Sequence, residues 1–415
     1  ADGSMKEEPL VIRRTVHGPI VATRKGMPIA MRVAALDRPK MFEQFWKMGL
    51  AKNFQEWETA MRMQQLPLFN TAYADRDGHI AYVYNSTLWK HPTGDYRFWQ
   101  GVVPGDKSEL ISNEIVPYDQ IPKVADPSTG WVQNSNDMPW TSVYPMVLDP
   151  KNFAAGFAAP QGITQRAQRG IRILSTMPEK ISFEDIKKGK LDTHVETADQ
   201  FVDEIVATAK ARGTPVAKRA AEVLATWDRQ GEVDSVGMLV FYKFMSAAGS
   251  SFENIGGFKV PTDDRRPLET PRGFKDPAKA MAALDKVATD VEKEYGSLAV
   301  KWGEVLRFRR GNADVPGNGA PSQLGAIRTI SVSPFKDGKV QAVAGDTFYA
   351  VIEFSVPQRA EALLNYGNWS KKGSKHVEDQ LPLASRKELR PVWRTKAEIE
   401  ANLESRKVLA SSSTN

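Results

Sequence analysis

The chain holds five imidazoles able to ligate a metal or move a proton, at His17, His79, His91, His194 and His376. No two stand at metal-ligand spacing, so each reads as a structural or surface residue. His376, in SKHVEDQ, reads as part of an ordered loop in which the imidazole, Asp379 and Gln380 bond to backbone. There is no cysteine, which removes thiol nucleophiles, CxxC redox chemistry and thiolate metal sites. GxGxxG, GxxxxGK[ST], HExxH and GxSxG are all missing. GNWSKKGS at 367–374 has only a faint likeness to a phosphate loop, with the wrong spacing.

One stretch does not fit an ordinary loop. WVQNSNDMPW at 131–140 sets Gln133, Asn134, Asn136 and Asp137 between two tryptophans. Amides and acids in a row are normally solvated, whereas indoles favour burial. Burial of Trp131 and Trp140 is therefore expected to pin both ends of the loop and hold its amides still. From the residues alone, Asn136 reads as readily as an Asx-turn former as a functional group.

The elements that must position these residues follow from composition and periodicity. The chain has 415 residues, 41% apolar and 26% charged, which argues against general disorder and for one interwoven unit or several lobes. Its net charge of +6 is small, and the basic residues are scattered apart from clusters such as 307–310 and 371–372. No basic stripe with interleaved aromatics is present, so nucleic acid is not an expected partner. No apolar run reaches the 18 or so residues that span a bilayer, and no stretch reads as a signal peptide.

The stretch 9–36 is β-rich. Two helices follow, MFEQFWKMGLA and NFQEWETAMRMQQ, the second opened by Asn53 with Glu56 three residues on. LPLFNTAYADRDGHIAYVYN reads as a hairpin turning at Asp77-Gly78. From about 163 to 300 the period is helical, with five candidate helices, one of them capped by Ser182 and Asp185. The β pattern returns near 326, and Thr395-x-x-Glu398 opens a last helix. The resulting divisions are 1–160 for strands, two helices and the polar loop, 161–325 for a mainly helical insertion, and 326–415 for the return to β structure.

Four strings in this order resemble the penicillin acylase family of N-terminal-nucleophile hydrolases: RTVHGPIV (14–21), AKNFQEWETAMR with LFNTAYADRDGHIAYV (51–83), WVQNSND with the Arg166 helix, and GSKHVEDQLPL with PVWRTKAEIEANLESRKVL (373–409). PLETPRGF, YGSLAVKWGEVLRFRRG and VPGNGAPSQLG are similar to the acyl-homoserine lactone acylase and aculeacin acylase branch. The resemblance implies an α+β fold, part of an αββα sandwich with a large helical insertion. It also implies a precursor that is exported, to the periplasm or beyond, and that cuts itself to expose an N-terminal serine. That serine would be the nucleophile and its own α-amine the base.

Residue 1 here is Ala, and no Ser-led segment of that kind is present. Ser4, in a turn-like ADGS, does not replace it. The expectation is that the nucleophile lies on a missing segment or a complementary chain, and that this chain alone does not hydrolyse anything. Carried over residue by residue, the resemblance makes Asn136 the oxyanion donor, since a carboxamide N–H stabilises a tetrahedral oxyanion without adding charge. Arg166 becomes the arginine that orients the nucleophile, while Phe69 and Phe45, with Trp46 one residue away, line the acyl pocket. No cofactor is implied for catalysis. Some members hold a structural calcium, and Asp149 lies near one matching position with the register off by a residue, so no site is assigned.

The implied substrates are N-acyl homoserine lactones, or else acylated β-lactams or lipopeptides. The competing reading is a non-catalytic binding or scaffold protein that kept this architecture.

Overall fold

The structure is a computed structural model describing residues 5, 7–84, 87–154, 156–158, 162–249, 252–255, 257–371 and 373–408. Ser4, Lys372 and the ASSSTN tail lie outside them. The chain divides into two compact units. One comprises 1–175 with 262–270, and the other 176–261 with 271–415.

The first unit opens with a three-stranded antiparallel sheet, β1 (Arg14–Thr15), β2 (Gly18–Arg24) and β3 (Met27–Ala30). The strand expected from residue 9 is shorter than its β-rich sequence suggests. Residues 9–13 are exposed, and although the Arg13 carbonyl accepts from the Ile20 N–H at 2.9 Å, nothing among the described residues covers their apolar side chains to extend the strand. Gly18 has φ +125°, and a Cβ there would overlap the Met31 carbonyl oxygen, so the turn after His17 requires glycine.

Helices α1 (Met41–Leu50) and α2 (Phe54–Met61) come next. Asn53 caps α2 by accepting from the Glu56 N–H at 2.9 Å, and the Glu56 carboxylate returns to the Lys52 N–H at 3.0 Å. A second antiparallel sheet joins β4 (Thr71–Ala74), β5 (Ile80–Val83) and β6 (Lys123–Ala125). Trp57, Met61, Ala81, Val83, Tyr118 and Ile121 form its apolar core. Between β5 and β6 lies the short helix α3 (Tyr96–Gln100), capped by Asp95. α4 (Gln165–Thr176) follows, and its Ala167 and Ile171 form a small cluster with Ile163 just before it, Trp131 packing against them.

The second unit begins with α5 (Phe183–Lys190), which carries a reciprocal Ser182–Asp185 capping box. α6 (Glu196–Arg212), α7 (Pro215–Thr226) and α8 (Met238–Ala247) follow. A two-stranded sheet of β7 (Phe258–Val260) and β8 (Arg272–Phe274) precedes α9 (Pro277–Tyr295). After the one-turn α10 (Trp302–Val305), the strands β9 (Leu306–Arg310), β10 (Ala313–Pro316), β11 (Ile330–Val332) and β12 (Val340–Gly345) form a four-stranded sheet in the order β10-β9-β12-β11.

β13 (Phe348–Glu353), β14 (Arg359–Leu364) and β15 (Arg390–Pro391) make the last sheet, with α11 (Leu381–Arg386) before β15 and α12 (Lys396–Ala401) at the end. One continuous apolar cluster runs through this unit, from Phe201, Phe241 and Phe244 on the helices to Phe308, Val340, Tyr349 and Leu363 on the strands. In the 374–380 loop, His376 Nδ1 meets Asp379 Oδ2 at 2.7 Å, so the imidazole pairs with a carboxylate and not with backbone as expected. Gln380 does bond backbone, its Oε1 accepting from the Leu364 N–H at 3.0 Å.

Candidate active site

Asn136 occupies the left-handed region, φ +65°, a conformation that asparagine tolerates better than most non-glycine residues. The Asx turn belongs to its neighbour. Asn134 Oδ1 accepts from the Asn136 N–H at 2.9 Å and from Asn70 Nδ2 at 3.1 Å. Asn134 Nδ2 in turn donates to Tyr82 Oη and the Asp137 carbonyl, each at 3.3 Å. Gln133 ties the loop on itself: its N–H donates to the Ser142 carbonyl at 2.8 Å and its Nε2 to the Thr141 carbonyl at 2.6 Å. The two tryptophans are only half-buried. Hydrogen bonds and the buried run Asp137-Met138-Pro139, more than indole burial, hold the loop in place.

Asp137 docks this loop to the start of α4. Its Oδ2 accepts from the Thr164 N–H (3.0 Å) and the Thr164 hydroxyl (3.1 Å), while Thr164 Oγ1 accepts from the Ala167 N–H at 3.3 Å. Burial pushes the Asp137 carboxyl above the usual carboxylate range, against the pull of Thr164 and Arg166. Its Oδ1 is buried without a partner.

On the first turn of α4, half-buried Arg166 turns back to the loop. One nitrogen, Nη2, donates to the Ser135 carbonyl at 2.5 Å and to Asn136 Oδ1 at 2.6 Å. The Asn136 carboxamide is thus fixed through its oxygen, and among the described residues its Nδ2 has no partner. An oxygen that accepts from a guanidinium polarises the amide and strengthens its own N–H donors. The geometry is that of a neutral donor aimed outward from a fixed loop.

Phe69 adjoins Asn70 and is thereby one residue from the hydrogen-bonded loop, with 54% of its surface exposed. Phe45 and Trp46 sit on α1, and no ring contact or hydrogen bond joins them to Asn136. α1 is inverted. Its exposed face carries Phe42 (78% exposed), Phe45, Trp46 (69% exposed) and Leu50, while its buried face carries Gln44. Gln44 is fully satisfied there, its Oε1 accepting from the Gln65 N–H at 2.7 Å and its Nε2 contacting the Met61 and Met48 sulfurs. An outward apolar face is the reverse of the usual arrangement of a surface helix.

Asp149 caps a short 3₁₀ turn and pairs with Arg265 at 3.4 Å. Among the described residues no group of three histidine or acidic side chains converges to hold a metal.

The sequence matches the penicillin amidase description over residues 1–401. The chain belongs to the penicillin amidase family. Within the family, the acyl-homoserine lactone acylase PvdQ of Pseudomonas syringae pv. syringae (strain B728a) is 25% identical over 440 residues, covering 97% of this chain and 55% of that protein. PvdQ of Pseudomonas fluorescens (strain Pf0-1) is 24% identical over 402 residues, covering 90% of this chain and 50% of that one. Penicillin G acylase of Escherichia coli is 32% identical over 136 residues, 32% of this chain and 16% of that protein. The chain thus spans about half the length of its PvdQ relatives. The solved thermostable penicillin G acylase from Alcaligenes faecalis superimposes with TM-score 0.65 at 18% identity, over 99% of this chain and 80% of that one. The α+β N-terminal-nucleophile-hydrolase fold read from the sequence is therefore the fold of this family member.

Proposed function

We infer that this chain is part of an N-acyl amide hydrolase, and that it supplies the oxyanion donor and walls of the acyl pocket. The observation that carries this reading is the Arg166–Asn136 pair. It leaves a carboxamide N–H₂ free on a loop fixed by at least five hydrogen bonds. In the reaction, a serine hydroxyl carried on a complementary segment or chain attacks the amide carbonyl, with its own α-amine taking the proton. The tetrahedral oxyanion accepts from Asn136 Nδ2, a donor worth about 3–4 kcal/mol of transition-state stabilisation. The amine leaves, and water releases the acyl group from serine.

Arg166 acts in this scheme by holding the Asn136 amide, and by its positive charge near the nucleophile. Phe69, Phe45 and Trp46 offer apolar surface to the acyl chain, each Å² buried contributing about 25 cal/mol. An N-acyl homoserine lactone is the favoured substrate class because the PvdQ relatives bear that name. The same reading implies a periplasmic or secreted enzyme.

Intact-mass measurement and N-terminal sequencing of the purified native assembly test it. A companion chain beginning with Ser is expected. One beginning with Ala or Gly would contradict a catalytic role and favour a binding or scaffold protein.

A further inference from the structure

A cavity of about 730 Å³ opens in the first unit, lined by neither Asn136 nor Arg166. That volume falls in the range of small-molecule sites, about 300–1,000 Å³. Its walls come from β1–β3 and from the segment 89–112, with Ile20, Ile29, Trp89, His91, Trp99 and Val102 among them.

The aromatic wall is held by its own contacts. His91 stacks on Trp99 at 4.1 Å between centroids and 18° between planes, and Trp99 Nε1 donates to the Thr93 carbonyl at 2.6 Å. Trp89 is held on an antiparallel bridge to Ile115. Burial keeps His91 below its ordinary pKa and hence neutral near pH 7. Among the described residues Arg32 is then the one permanent charge on the wall, and no Asp or Glu lines the cavity. Its guanidinium lies over the Trp89 ring at 4.4 Å, and its Nη2 donates to Asn113 Oδ1 at 2.7 Å. Among the described residues it pairs with no carboxylate.

A guanidinium that faces no carboxylate and flat aromatic walls share one complement. We propose that this cavity binds a small planar aromatic carboxylate, its carboxylate on Arg32 and its ring against the aromatic wall. A guanidinium already stacked on an aromatic face presents its remaining N–H groups in the plane that suits a carboxylate. The site is separate from the loop that carries Asn136, and the proposal does not depend on amide hydrolysis.

Isothermal titration of the full chain with 2-naphthoate tests it, with the neutral 2-naphthamide as comparison. Saturable one-to-one binding of 2-naphthoate is expected, with the amide bound about ten-fold or more weakly because it lacks the charge. Arg32→Gln should erase that preference. Phe69→Ala, on the candidate acyl surface, should leave the affinity unchanged. Absence of saturable binding, equal affinity for acid and amide, or loss of binding in Phe69→Ala would each overturn the proposal. The acid–amide comparison needs no variant, so it stands even if a substitution unfolds the chain.

Discussion

Asn136 owes its candidate role to three neighbours. Asn134 Oδ1 holds its backbone, Arg166 holds its carboxamide oxygen, and Asp137 anchors the loop to the capped end of α4. Only part of this was legible in the sequence. The NSND string suggests an Asx turn at Asn136, whereas the turn is formed by Asn134. The i, i+2 pairing of Asn134 with Asn136 would have been the signal. Tyr82 and Thr164 were not foreseen, because each meets the loop across a long sequence separation.

Two expectations belong at this scale. Arg166→Met should lower turnover of a chromogenic N-acyl amide about ten-fold or more through a misplaced donor, with a smaller change in KM. Steady-state kinetics of the assembled enzyme would read it. The raised Asp137 carboxyl has a definite sign. The native state holds that proton more tightly than the unfolded chain, so this group's contribution to stability is present at low pH. It is lost as pH rises from about 3.8 through the folded value. Asp137→Asn removes that loss. The difference in melting temperature between variant and parent should therefore shift in the variant's favour as pH rises through that window. A difference independent of pH would show that burial does not perturb this group.

Capping signals and hairpin turns were the most readable elements, because their chemistry is local. Asn53, Ser182 and Thr395 all cap the helices their sequences announce. α8 escaped the periodic reading for a physical reason. Met238, Leu239, Val240, Phe241, Phe244 and Met245 are all buried and only Lys243 and Ser246 break the apolar run, so the 3.6-residue period is too weak to detect. α1 misleads in the opposite sense: its periodicity is helical, yet the apolar face points outward.

Asn53→Ala should cost about 1 kcal/mol of stability, read from urea unfolding. Gly18→Ala should cost more, since it combines an unfavourable φ with a clash against the Met31 carbonyl. The loss is expected to be on the order of 2 kcal/mol or above. If Gly18→Ala unfolds like the parent, the turn geometry after His17 is not as described.

The two units differ in how their apolar residues are used. The second is built on one continuous cluster shared by helices and returning strands. Among the described residues the first has two small clusters and several exposed apolar side chains, Phe42, Trp46, Leu68 and Phe69 among them. The chain spans about half the length of its PvdQ relatives, and the proposed function assigns the nucleophile to a complementary segment. The most direct test of the account is turnover by the assembly of this chain with a Ser-led companion, compared with the same assembly carrying Asn136→Ala. Assembly and melting temperature should be unchanged, and kcat for a chromogenic N-acyl amide should fall by a factor of about 10²–10³. Near-normal turnover in that variant would remove Asn136 from the mechanism and contradict the account.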